Sequence, residues 1–194
     1  MTKNRITDEE RKTLLELARS AIGSTLGKDQ IIKRPKNISR GLAQKRGCFV
    51  TLHKGDALRG CMGNIESSRS LIEGIEKNAL NAAFNDFRFK KLTAEELRGV
   101  NIEISALTVP EIVEFKGHKQ LFSKIKPGVH GVVISKGERG ATFLPQVWKQ
   151  LPGKEEFFGA LCRKAGLEPL CWKDPGIEVK VYEAEYFLEP APLA

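Results

Sequence analysis

No apolar run in this chain approaches the ~20 residues that carry a helix across a bilayer. The opening stretch MTKNRITDEE is charged, not apolar, so it does not read as a secretory leader and the expected location is the cytoplasm. Cysteine is sparse and badly spaced for metal: Cys48, Cys61, Cys162 and Cys171 form no CxxC motif, which argues against a zinc ribbon or a thioredoxin-type centre. In a reducing compartment a structural disulfide is also unexpected, so four thiols are predicted, most of them buried as small apolar groups. The three histidines (His53, His118, His130) are scattered. There is no HExxH, no GxxxxGK[ST] and no GxSxG. Neither a metal nor a cofactor is expected. What is present is ordinary for a folded domain: 194 residues, 41% hydrophobic and 29% charged, read as a single domain over residues 1–194.

The net charge of +8 is unevenly placed. Residues 1–46 carry 12 Lys/Arg against 5 Asp/Glu, with Lys33, Arg34, Lys36, Arg40, Lys45 and Arg46 in the part that shows no helical or strand period. This segment, 28–46, reads as a long surface connection. It is either a solvated basic loop or a contact for phosphate, nucleic acid or an acidic partner, although it has no aromatic side chain on which a base would stack.

Elsewhere the pattern mixes helices with hairpins. Thr7 and Glu10 match a capping box, followed by Leu14, Leu17, Ala18, Ala21 and Ile22 at helical spacing, with Gly27 as a stop. GCFVTLH and ALRGCMG flank Lys54-Gly55-Asp56 as a hairpin. A Lys54-Gly55 turn sets Cys61 opposite Cys48; a Gly55-Asp56 turn sets it opposite Val50. Ser67 or Ser68 is expected to cap a helix running to Phe84. Thr93 and Glu96 repeat the capping box, and Asn101–Leu107 alternates as a half-buried strand. GVVIS and ATFLPQ flank KGERG as a second hairpin, residues 154–165 suit a helix stopped at Gly166, and Glu178–Phe187 forms a last strand with a bend near Tyr182. The fold class is α+β, with mainly antiparallel sheets flanked by helices in two lobes. The hairpin groups 47–107 and 127–146 form the lobes.

The sharpest chemical signal is Leu58-Arg59-Gly60-Cys61-Met62-Gly63-Asn64. Glycine in a strand admits close approach by a ligand or another backbone, and a guanidinium beside a thiol favours the thiolate. One reading makes Cys61 a nucleophile, Arg59 an anion receptor, and the backbone N–H groups near Gly60 and Gly63 oxyanion donors. The other packs Cys61 in the core, with the glycines allowing tight contact. On a regular strand Arg59 shares a face with Cys61; if buried it needs a carboxylate, with Glu103 or Asp86 as candidates. His53 reads as a solvated loop residue more readily than as a base for Cys61, and His130 as a turn residue. Asp86 and Arg88 either hold a ligand's charged group beside Phe89 or build a turn. Glu103 shares a strand face with Ser105. Gln146 follows a proline at a strand end, where it can point into a cleft. Cys162 reads as core, and Cys171-Trp172 as a loop anchor.

FVTLHKGDALRGCMGNI, AAFNDFRF, VNIEISALTVPEIV, KPGVHGVVIS, FLPQVW and CRKAGLEPLCW, in this order, resemble the AMMECR domain family over residues 10–188. The resemblance implies an intracellular two-lobed domain. In microbes it also implies an association with Memo-like and radical S-adenosylmethionine proteins as partners. Its suspected site is the Arg-Gly-Cys segment, here Arg59, Gly60 and Cys61. The family's Asp-Pro-Arg-Phe stands here as Asp86, Phe87, Arg88 and Phe89. The expected function is small-molecule binding or a thiol-dependent reaction at a cleft formed by Arg59, Gly60, Cys61, Gly63, Asn64, Asp86, Arg88, Glu103 and Gln146. The alternatives are a regulatory or adaptor module and, third, nucleic-acid binding through residues 28–46.

Overall fold

The computed structural model describes residues 5–27, 31–66 and 68–190. The chain is α+β, with two four-stranded antiparallel sheets, and it divides into two units, residues 1–107 with 185–194, and residues 108–184. No helix among the described residues is long and apolar enough to cross a membrane.

The first unit is built on the sheet order β2-β1-β3-β8. Helix α1 (Asp8–Thr25) begins at the predicted capping box: Thr7 accepts from the Glu10 amide, and the Glu10 carboxylate accepts from the Thr7 amide. Gly27, at φ +70°, takes the left-handed conformation beyond its end. Helix α2 (Leu71–Phe84) is capped by Ser70, not by Ser68, with Glu73 closing the box; Ser67, the other candidate, lies outside the described residues. A Ser-x-x-Glu pattern two residues further on was the better signal. Strands β1 (Cys48–Lys54), β2 (Ala57–Asn64) and β3 (Val100–Leu107) send alternate side chains inward. Val50, Leu52, Ile102 and Ile104 are completely buried in a core shared with Leu14, Leu17, Ile22, Leu71 and Ile75 of the two helices. Burying each such aliphatic side chain contributes about 1.5–3 kcal/mol.

The register of the β1–β2 hairpin matches neither expectation in full. The turn is Gly55-Asp56, since Lys54 pairs with Ala57 and His53 with Leu58. The pairing then shifts, so Leu52 faces Gly60 and Thr51 faces Cys61. Arg59 is the extra residue of a β-bulge. One inserted residue turns every later side chain of β2 over. Gly60 and Met62 therefore go to the helix side, and Cys61 and Gly63 go to the other.

In the second unit the order is β4-β7-β5-β6, formed by Glu111–Ile112, Glu178–Tyr182, Gly131–Lys136 and Arg139–Phe143. Helices α3 (His118–Lys124), which the sequence reading missed, and α4 (Lys154–Lys164) contribute to its aromatic core. There Trp148 stacks on Phe157 with centroids 3.6 Å apart. The expected last strand is two strands. After Tyr182 the chain leaves β7, and β8 (Ala184–Leu188) joins the first sheet, which accounts for the parity switch in EVKVYEAEYF. Cys162 and Cys171 are not thiols: they form a disulfide with Cα atoms 6.0 Å apart. The turn at Gly166, φ +69°, folds the chain back on the end of α4, and this proximity overrides an argument based only on compartment.

Candidate functional site

Three strands present a registered grid on the face of the first sheet turned away from α1 and α2. The pairings give one row as Cys61, Thr51 and Glu103 on β2, β1 and β3. The row on one side is Leu58, His53 and Asn101; the row on the other is Gly63, Phe49 and Ser105. With strands about 4.8 Å apart, Cys61 and Glu103 flank Thr51 roughly 10 Å from each other. Thr51 Oγ1 donates to Cys61 Sγ at 3.3 Å, and His53 Nε2 lies 3.5 Å from Glu103 Oε2. His53 is thus a strand residue of this face and not a loop residue. Its Nε2 and Asn101 Oδ1 are buried and make no hydrogen bond among the described residues. Only a fold that pairs β1 with β3 brings Glu103, His53 and Asn101 beside Cys61. The sequence signal for it was the alternation of Asn101–Leu107, which placed Glu103 opposite the core face.

The two glycines near Cys61 have packing duties. A Cβ on Gly60 would lie 2.2 Å from the Ala82 carbonyl oxygen of α2, and one on Gly63 would lie 2.3 Å from the Phe49 ring. Gly60 lets α2 sit against the strand, and Gly63 gives the Phe49 ring its place. Asn64 ties the end of β2 to α2, its Oδ1 accepting from Asn78 Nδ2 at 3.0 Å. The Cys61 amide is not available as an oxyanion donor, because it donates to Asp86 Oδ2 at 2.9 Å.

Asp86 and Arg88 act together at this edge of the sheet. Arg88 grips the Asp86 carboxylate with Nε at 2.9 Å and Nη2 at 2.7 Å, and Nη2 also reaches the Cys61 carbonyl at 3.4 Å. The pair takes both main-chain groups of Cys61 as a neighbouring strand would. That leaves Thr51 and Cys61 as a pair without mutual main-chain bonds, the kind in which side chains stand closest. The Arg88 hydrogen bonds, helped by the Cys61 and Arg88 amides and opposed by burial, hold the Asp86 carboxyl well below the usual carboxylate range. Phe87, between them, is almost fully exposed.

Arg59 is also spoken for, by a partner not among its expected ones. It forms a two-pronged pair with Glu96, at 3.1 and 2.9 Å, and donates to the Lys90 carbonyl. Glu103 and Asp86 have other company. Bidentate pairing with Glu96 explains why Arg59 is only 11% exposed. The Cys61 thiol is half-buried, and burial pushes its pKa above the ordinary value; the Thr51 hydrogen bond and Arg88 oppose this, while Asp86 and Glu103 add to it. Cys61 is a protonated thiol at neutral pH, not an activated thiolate. Gln146 belongs to the second unit, in the turn Pro145–Lys149, with Oε1 buried and unbonded among the described residues.

Comparison with known proteins decides the family. The AMMECR1 family model matches residues 15–187. The chain belongs to the AMMECR1 family. Protein MK0488 of Methanopyrus kandleri is 38% identical over 196 residues, covering 97% of this chain and 92% of the relative. A protein of Methanothermobacter thermautotrophicus is 36% identical over 185 residues, covering 95% and 96%. The crystal structure of an uncharacterized protein, PH0010, from Pyrococcus horikoshii superposes with a TM-score of 0.87 at 37% identity, covering 96% of this chain and 95% of that one. The names of these relatives carry no activity, so within this AMMECR1-family chain the geometry has to speak for the chemistry.

Among the described residues no three His, Cys, Asp or Glu side chains gather to hold a metal ion. The basic segment is partly committed within the first unit. Arg34 pairs with Glu76 at 2.6 Å, Lys33 lies 3.9 Å from Glu16, and buried Arg46 donates to the Leu107 carbonyl at 2.7 Å. A groove of about 920 Å³ runs along α1 and β8 over Leu15 and Phe187. Its arginines are paired, Arg11 with Glu185 and Arg19 with Glu189.

Proposed function

We propose that this AMMECR1-family protein binds a small polar molecule on the outer face of the first sheet, over the row Cys61, Thr51 and Glu103, with Cys61 present as a neutral thiol. The observation that carries the reading is the grid itself. A half-buried sheet face carries a thiol, a hydroxyl, a carboxylate, an imidazole and an amide in register, while the residues around it are locked by their own hydrogen bonds. A face that only packed against apolar groups would have no use for this set, since unbonded polar atoms cost about 1–3 kcal/mol each when buried.

The thiol-dependent reaction of the sequence reading becomes the weaker alternative. A nucleophilic cysteine needs a lowered pKa and an adjacent base; here burial raises it and the side-chain neighbour on the sulfur is a hydroxyl. Two-dimensional NMR of the whole chain tests the proposal, with fragment mixtures of amines, carboxylates, phosphates and sugars. Binding moves the amide signals of Thr51, Cys61 and Glu103. If no fragment class moves that row at millimolar concentration, the binding reading fails and the adaptor reading takes its place.

A further inference from the structure

We infer that the ligand of this face is a small organic cation, an amine or amidine, and not the phosphate or carboxylate that two nearby arginines suggest. The inference rests on the proposal that the face binds a small molecule, and it names the class.

The positive charge around Cys61 is already matched. Each arginine near Cys61 has its own carboxylate in two-pronged contact: Arg59 with Glu96 and Arg88 with Asp86. The charge of Arg88 is already matched by Asp86, whose side chain is 2% exposed and would lose its counter-charge if Arg88 swung away to an anion. A buried carboxylate left unpaired is among the costlier changes a protein can make. Arg59 has a third contact, to the Lys90 carbonyl, and its side chain is only 11% exposed.

Arg59 Nη1 and His53 Nε2 are buried without a hydrogen bond among the described residues, so the decision falls to charge, and the carboxylate without an arginine or lysine of its own is Glu103. Glu103 is about one-quarter exposed and has no arginine or lysine in an ion pair with it among the described residues; the His53 imidazole lies beside it, with Nε2 at 3.5 Å. Asn101 Oδ1, on the same strand and the same face, is buried and accepts no hydrogen bond among the described residues. Thr51 gives its hydroxyl proton to Cys61 and keeps its lone pairs. A carboxylate, an amide oxygen and a hydroxyl oxygen on neighbouring positions ask for N–H donors. A protonated amine or an amidine supplies them with the complementary charge, and a charge-assisted hydrogen bond to Glu103 is the stronger kind.

Titration of the intact protein separates the outcomes. The probes are 1,4-diaminobutane and benzamidine on one side, and inorganic phosphate and succinate on the other, each followed by NMR shifts of the Thr51, Cys61, Asn101 and Glu103 amides. The cations are expected to bind with shifts on this grid, and Glu103→Gln, which keeps the shape and removes the charge, is expected to weaken them about tenfold or more. Asn101→Leu gives a smaller loss. Cation binding unaffected by Glu103→Gln overturns the inference. So does binding of phosphate or succinate on the grid in preference to the cations, although that result leaves small-molecule binding standing. If no probe of either kind moves the grid, the inference fails; if fragments of every other class are silent as well, so does the reading beneath it.

Discussion

The two units handle their cysteines in opposite ways. In the first unit Cys48 and Cys61 remain free, one buried under α2 beside Asn78 with its pKa raised to about 11 by burial, the other on the polar face. In the second unit Cys162 and Cys171 are joined to each other within an aromatic core. Helix and turn are cross-linked there, and the chemistry of sulfur is spent on stability. In the first unit sulfur is kept as a thiol among polar groups. The difference shows that cysteine content by itself says little: the secondary structure beneath each residue decides between staple and site.

The comparison breaks first at the glycine beneath the site. Gly60→Ala puts a methyl group against a helix carbonyl that cannot move without shifting α2. The variant is expected to lose about 3 kcal/mol or more in urea unfolding, or to fail to fold. Next is the staple. Opening a loop of this size by Cys162→Ala with Cys171→Ala, or by reduction, is expected to cost about 2–3 kcal/mol. A reductant should therefore lower the melting temperature of the native protein and leave that of the double variant unchanged.

The Asp86–Arg88 pair is expected to contribute about 2 kcal/mol at pH 7, read as the stability lost in Asp86→Asn. Because the Asp86 carboxyl is held below its unfolded value, this contribution is complete above the unfolded carboxyl pKa, near 4, and is lost as the pH falls through the folded value. Urea titrations of wild type and Asp86→Asn should therefore differ by the full amount above about pH 4 and converge progressively as the pH falls below it. The smallest effect concerns reactivity. Native Cys61 should be carbamidomethylated at pH 8 several-fold more slowly than a peptide thiol, and Thr51→Val, which removes a hydrogen bond that lowers the thiol pKa, should slow it further. Faster reaction than the peptide would restore the nucleophile and erase the contrast between the units.

Much of the architecture was legible because it depends on local pattern. Thr7 with Glu10, the alternation of Asn101–Leu107, and Gly166 closing α4 are all decided within a few residues, and the family resemblance covered nearly the whole chain. The site was legible only in part. Arg59, Cys61, Asp86, Arg88 and Glu103 were singled out, but their partners were not. Whether Arg59 meets Glu96 or Glu103 depends on a bulge that no hydrophobic pattern announces. His53 was read as solvated because it stands eight positions from Cys61, across the hairpin turn, where direct reach to the thiol is poor. The Cys162–Cys171 bond escaped because an expectation about compartment stood in for geometry.

Arg59 as an inserted residue has one more consequence. It works like a frameshift written into a strand: pairing that single position regularly, without the bulge, would exchange the two faces of everything beyond it. The thiol would be delivered under α2, opposite Val50, and Gly60 would take its place opposite Thr51. An inventory of the segment's residues would hardly register the change, yet the surface available to a ligand would be replaced.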